Sequence, residues 1–221
     1  MKRRAAGLLL APLILLAGCA LPSASAAPGG APVACTGDAV AGLTAEQSSN
    51  ARAIVSVALG LGLARQGALV GVTAADTESD LQNITYGDMG ANGQMTSSRG
   101  LFQMKDAWGP LADRLDPVKA STLFYTVDKG AGVRGLTHIP GWQSMTVPQA
   151  AQAVEGSQFS DGSNYAAKLP LATAAVDAII PGCAPAAIPG GGLAQNPSQD
   201  PSSFGWVRGA GVYEDQRPLT G

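Results

Sequence analysis

Three carboxylates fall within five residues in Asp76-Thr77-Glu78-Ser79-Asp80, directly after the apolar stretch Ala68-Leu69-Val70-Gly71-Val72-Thr73-Ala74-Ala75. A carboxyl closing so uncharged a helix is desolvated, and desolvation raises its pKa. Such a group can hold its proton near neutral pH and give it to the leaving oxygen of a glycosidic bond. Glu78 is therefore the candidate general acid. On a helix Asp76 and Asp80 share a face and Glu78 points about 200° away, so direct coupling to either is expected to be modest. Asp88, after Tyr86-Gly87, is the candidate second carboxylate that a hydrolase would need to activate water.

Other chemistries lack their residues. His138 is the only histidine and sits in the turn His138-Ile139-Pro140-Gly141-Trp142, while Cys35 and Cys183 flank the folding unit rather than lie within it. A Cys/His peptidase and a zinc site are both excluded by that shortage. Gly190-Gly191-Gly192 has no following Lys and Ser/Thr, so it reads as linker rather than phosphate loop. No cofactor and no metal are expected. A net charge of −2 offers no electrostatic footprint for nucleic acid, and a neutral polar glycan suits it better.

The elements that must position these groups are mostly helical. Thr44-Ala45-Glu46-Gln47 has a capping-box pattern, and Ile54, Val55, Ala58, Leu59 and Leu61 continue at helical spacing to about Leu63. A break over Ala64 to Gly67 is followed by a second helix from Ala68 that carries the acidic cluster in its last turn. Gln82 to Arg99 is rich in Gly, Asn, Asp and Ser, which predicts an irregular loop or small hairpin. A third helix opens at Pro117 and runs past Val127 to Gly130 or Gly132. Two more are predicted over Val147 to Val154 and Tyr165 to Ile180, the latter kinked or broken at Pro170.

Glu78-Ser79, followed about twenty residues later by Ser98-Arg99-Gly100-Leu101-Phe102-Gln103, resembles the paired motifs of soluble lytic transglycosylases and goose-type lysozymes. Asp116-Pro117, Phe124-Tyr125, Pro140-Gly141-Trp142-Gln143, Ala150 to Val154 and Tyr165-Ala166 extend the likeness in order. They are similar to an exported transglycosylase-like family of Gram-positive bacteria. The resemblance covers about Leu43 to Asp177 and implies a mainly α, lysozyme-like (α+β) single domain. It implies that Glu78 is the catalytic acid, that Gln103 presents an amide to sugar and acid, and that the Tyr165 hydroxyl orients the carboxylate. Ser79, Ser98, Gly100 and Asp88 would line the substrate. Asp76-Thr77 and Asp80 depart from the pattern, which more usually has an apolar residue and Gln before the Glu, and Gly after Glu-Ser.

With one carboxylate, a lytic transglycosylase protonates the oxygen joining N-acetylmuramic acid to N-acetylglucosamine. It then takes the proton of the sugar's own 6-hydroxyl, leaving a 1,6-anhydro end. The alternatives are a muramidase using Asp88, and a catalytically weak lipoprotein that only binds peptidoglycan. Peptidoglycan is the partner expected of any of the three, and a monomer is expected.

The chain has 221 residues, 46% of them hydrophobic, enough for one ordinary domain. Its 29 Gly and 15 Pro gather near both ends, so the folding unit is shorter than the chain. The expected division is a signal peptide over 1–19, an Ala/Pro/Gly linker over 20–42, the catalytic domain over 43–182 and a disordered tail over 183–221. Lys2, Arg3 and Arg4 precede an apolar run too short to span a bilayer. Leu16-Ala17-Gly18-Cys19 resembles a bacterial lipobox in which Cys19 is lipidated. Cleavage after Ala24-Ser25-Ala26 is the competing reading, and a chance cysteine the third. The first two place the protein outside the cytoplasm, anchored or secreted, and leave Cys35 and Cys183 as the remaining thiols. A disulfide between them is expected, with two free thiols as the alternative.

Overall fold

Thr44 starts the first helix, α1 (Ala45–Gly60), as the sequence predicts. Its hydroxyl accepts from the Gln47 amide at 3.2 Å while the Gln47 side chain accepts from the Thr44 amide at 2.8 Å, so two of the orphan donors at the helix start are satisfied. In this computed structural model, which describes residues 32–90, 93–130, 132–156, 162–186, 206–209 and 212–215, the chain is mainly helical.

The second helix, α2 (Ala64–Ser79), begins a turn earlier than predicted. The break is confined to Leu61-Gly62-Leu63, where Gly62 adopts φ +72°, and Ala64 to Gly67 form the first helical turn. Gly62 and Ala64, the latter at φ +53°, both take left-handed conformations and turn the chain, so no longer linker is needed. Nearly the whole of α2 is buried, from Gly67 to Asp76 and again at Ser79. Its small residues permit this. A Cβ at Gly71 would overlap the hydroxyl of Tyr125 and crowd Ile54.

After α2 the loop to Lys105 contains no strand among the described residues, only the bridges Met89 to Met95 and Arg99 to Met104. A short helix that the sequence did not announce, α3 (Leu111–Arg114), precedes α4 (Pro117–Thr126). The Asp116 carboxylate caps α4 by accepting from the amides of Val118 and Lys119. α5 (Val147–Glu155) has a second capping box, Thr146 with Gln149, and ends on left-handed Gly156. The predicted last helix is two. α6 (Ser163–Ala166) and α7 (Leu169–Ile179) are separated at Ala167-Lys168, and Pro170 lies in the first turn of α7, where its missing N–H is harmless.

α2 is the hub, packed against α1, α4, α5, α6 and α7. The core around it is continuous and includes Ile54, Val70, Leu101, Phe102, Phe124, Tyr125 and Tyr165, with Phe102 stacked on Phe124 at 4.5 Å between ring centroids.

Two boundaries move. The expected linker contains β1 (Val33–Cys35), and the expected tail opens with β2 (Cys183–Pro185), its antiparallel partner. Cys35 faces Cys183 in register and the two form a disulfide. Neither three-residue strand has a local signal, because each forms only by meeting the other. Further along the tail, β3 (Trp206–Gly209) pairs antiparallel with β4 (Val212–Asp215), so the tail is not structureless throughout. Cys19, the export signal and both processing sites lie outside the described residues.

Candidate active site

Glu78 is presented by the last turn of α2, and the way that helix ends sets where the carboxyl goes. Asp80 and Leu81 both take left-handed conformations, at φ +51° and +59°. Their carbonyls accept from α1: Gln47 Nε2 donates to Asp80 at 2.8 Å and Asn50 Nδ2 to Leu81 at 2.8 Å. Leu81 is fully buried, which anchors the turn. Glu78 itself is half-buried. The hydroxyl of Tyr165, a buried residue of α6, donates to Glu78 Oε1 at 3.0 Å. Burial pushes the Glu78 carboxyl above the ordinary carboxylate range, the tyrosine bond pulls it back, and the charge of Asp88 pushes it up again.

A second acid stands beside it that the sequence reading passed over. Glu155 closes α5, and its Oε1 is shielded from solvent with no hydrogen-bond partner among the described residues. Burial holds its proton well above the usual range, and the neighbouring Glu78 charge adds to this. The sequence shows only that Glu155 ends an apolar helix, a position as compatible with solvent as with burial.

The sign of the consequence is fixed. A carboxyl whose folded pKa is raised binds its proton more tightly in the folded than in the unfolded state. Folding stability is then full below the ordinary Glu pKa and is lost as pH rises toward the folded value. Glu155, Glu78 and Asp76 are all shifted this way. The melting temperature is expected to fall as pH rises above the ordinary carboxylate range, and Glu155→Gln to flatten that slope, as scanning calorimetry across pH would measure.

Asp76 and Asp80 turn away from Glu78 and share one cation. Lys168 Nζ lies 2.6 Å from Asp80 Oδ1 and 3.6 Å from Asp76 Oδ1. Both carboxylates are thus held by Lys168.

The second motif packs beneath the acid rather than beside it. The Ser79 hydroxyl is buried 2.8 Å from the Leu101 carbonyl and 3.0 Å from that of Ala75, and its single proton serves one of them at a time. It braces the loop against α2 and is not free for a sugar. Gln103 sits at φ +45°, and its Nε2 donates to the Gly100 carbonyl at 3.0 Å, closing the turn from within. One N–H of the Gln103 amide is therefore engaged within its own loop. Leu101 and Phe102 are core, and Ser98 is buried. Asp88 is exposed on the loop, close enough for its charge to act on Glu78. His138 is an exposed turn residue with Nε2 3.1 Å from the Thr126 carbonyl.

Gly100 has a definite reason to be glycine. It adopts φ +78°, and a Cβ there would overlap the backbone carbonyl of Arg114. Arg114 cannot yield, because its buried guanidinium bonds the carbonyls of Ser97, Gly109 and Met104 and the carboxylate of Asp106. Gly100→Ala is expected to lower stability by about 3 kcal/mol, combining left-handed strain with overpacking, as a urea melt would measure.

The arrangement can hold a proton on a carboxyl that faces solvent on one side and is steadied by a phenol on the other. No protein-family model matches the chain, and no curated protein matches it.

Proposed function

We propose that this chain cleaves peptidoglycan strands between N-acetylmuramic acid and N-acetylglucosamine as a lytic transglycosylase of lysozyme-like fold. The observation that carries the reading is the Tyr165 to Glu78 hydrogen bond at a half-buried carboxyl whose pKa is raised. Glu78 gives its proton to the glycosidic oxygen as that bond breaks. The resulting carboxylate accepts the proton of the muramic 6-hydroxyl, whose oxygen closes on C1. The Tyr165 hydroxyl favours the ionised acid, so it stabilises Glu78 in the half of the cycle when it lacks a proton.

A hydrolytic outcome is the second reading, favoured by Asp88, an exposed carboxylate within electrostatic reach of Glu78 that could activate water. Incubating the purified chain with peptidoglycan and analysing released fragments by mass spectrometry separates the cases. Anhydro ends support transglycosylation and reducing ends support hydrolysis. Retention on the sediment with no release supports a binding role and removes the enzymatic reading.

The Cys35–Cys183 disulfide suits an oxidising compartment, which agrees with export to the cell wall and with lipid anchoring through Cys19. Among the described residues no helix is long and apolar enough to cross a membrane.

A further inference from the structure

Tyr165 can hold the acid only if α6, a helix of four residues, is itself held against the end of α2. A helix so short has little stability of its own. At its far side the Lys168 amide donates to the Tyr165 carbonyl at 3.1 Å, closing a tight turn. The same residue reaches α2 with its side chain, 2.6 Å from Asp80 and 3.6 Å from Asp76. Lys168 is therefore bonded by its backbone to the residue that carries the phenol and by its ammonium to the helix that carries the acid.

The two carboxylates contribute unequally. Asp80 is 65% exposed, whereas the Asp76 side chain is 4% exposed and its Oδ2 has no hydrogen-bond partner among the described residues. A buried carboxylate with one unpartnered oxygen is costly without a cation, so Asp76 favours the docked position of Lys168 over a solvated one.

We propose that Lys168 is a positioning residue: by clamping the turn after α6 to Asp80 and Asp76 on α2, it holds the Tyr165 hydroxyl on Glu78. Asp76 and Asp80 then have a role at a site they never touch. The inference rests on Glu78 and Tyr165 being the pair at work in the proposed reaction. The other charged groups that act on Glu78 are Asp88 from the loop and Glu155 from α5, while Asp76, Asp80 and Lys168 act on one another.

The test is a carbon-13 NMR titration of the Glu78 carboxyl in the full chain, its resonance identified by its loss in Glu78→Gln, beside kinetics of glycan release. Tyr165→Phe removes a bond that favours the carboxylate, so the Glu78 midpoint moves upward. Lys168→Met is expected to move it the same way and to lower kcat roughly tenfold with KM unchanged, as small misplacements at a catalytic centre do. Lys168→Arg restores both. In the Tyr165→Phe background Lys168→Met adds no further shift, because the contact it supports is gone. A shift that persists undiminished in that background means Lys168 acts through its charge alone and overturns the proposal, as does no shift in the single variant.

Asp80→Asn, at an exposed position, keeps the test decisive if Lys168→Met does not fold. Losing a negative charge by itself lowers the Glu78 midpoint, whereas a loosened clamp raises it, so a downward shift overturns the proposal. Midpoints that move as expected in a protein releasing no glycan would leave the clamp standing and remove the functional reading. Glycan release with midpoints indifferent to Lys168 would do the reverse.

Discussion

Glu78→Gln is expected to lower the rate of glycan release by at least about 10³-fold while leaving the fold intact, because Glu78 is the carboxyl that the Tyr165 hydroxyl holds and an amide can neither give nor retake a proton. The substitution is nearly isosteric. The amide oxygen of Gln can still accept from the Tyr165 hydroxyl, which now lies 3.0 Å from Glu78 Oε1, so the packing around α6 has no cause to change. What is lost is the ionisable proton.

The same change carries a stability signature of opposite sign. The Glu78 pKa is raised by burial, so above the ordinary Glu range the wild-type chain holds a carboxyl the fold would rather keep neutral. Gln removes that burden, and the variant is expected to melt at or above the wild-type temperature at pH 8. Such a trade of activity for stability marks a functional carboxyl rather than a structural one. A variant that keeps activity within tenfold of wild type would end the assignment of Glu78 as the acid.

Loss of the Cys35–Cys183 bridge is expected to have the largest effect on stability. The bridge joins residues separated by 148 positions and so constrains nearly the whole folding unit. Loop-closure entropy for that length amounts to about 5 kcal/mol. Without the bridge, β1 and β2 are a pair of three-residue strands, too short to hold the ends of the domain by themselves. The double variant Cys35→Ser/Cys183→Ser should shift the denaturant midpoint by the corresponding amount, and reducing the wild-type chain should match it. A loss under about 1 kcal/mol would show that the unfolded chain already keeps its ends together.

Where a property depended on neighbours in the chain, it could be read from the residues in order. The start of α1 follows from Thr44 and Gln47, the start of α4 from Asp116 and Pro117, and the placing of Glu78 at the end of an apolar helix from the composition of Ala68 to Ala75. The bridge was legible for a related reason: the other cysteine lies in the expected export segment, which left one pair to form.

Other features were settled by contacts between distant segments, and these the sequence left open. A carboxyl at a helix end is as compatible with solvent as with burial, so Glu155 could be recognised only once α5 was packed on α2. A glutamine after Gly-Leu-Phe can point at a ligand or back at its own turn, and the left-handed backbone at Gln103 chose the turn. The helical spacing of Asp76, Glu78 and Asp80 already set Glu78 apart from the other two, but the partner of that pair, Lys168, lies 88 residues beyond Asp80 and has no local signal. Backbone periodicity and capping act over three or four residues and are written in local order. Burial and ion pairing depend on which surfaces meet, and those exist only after the chain has folded.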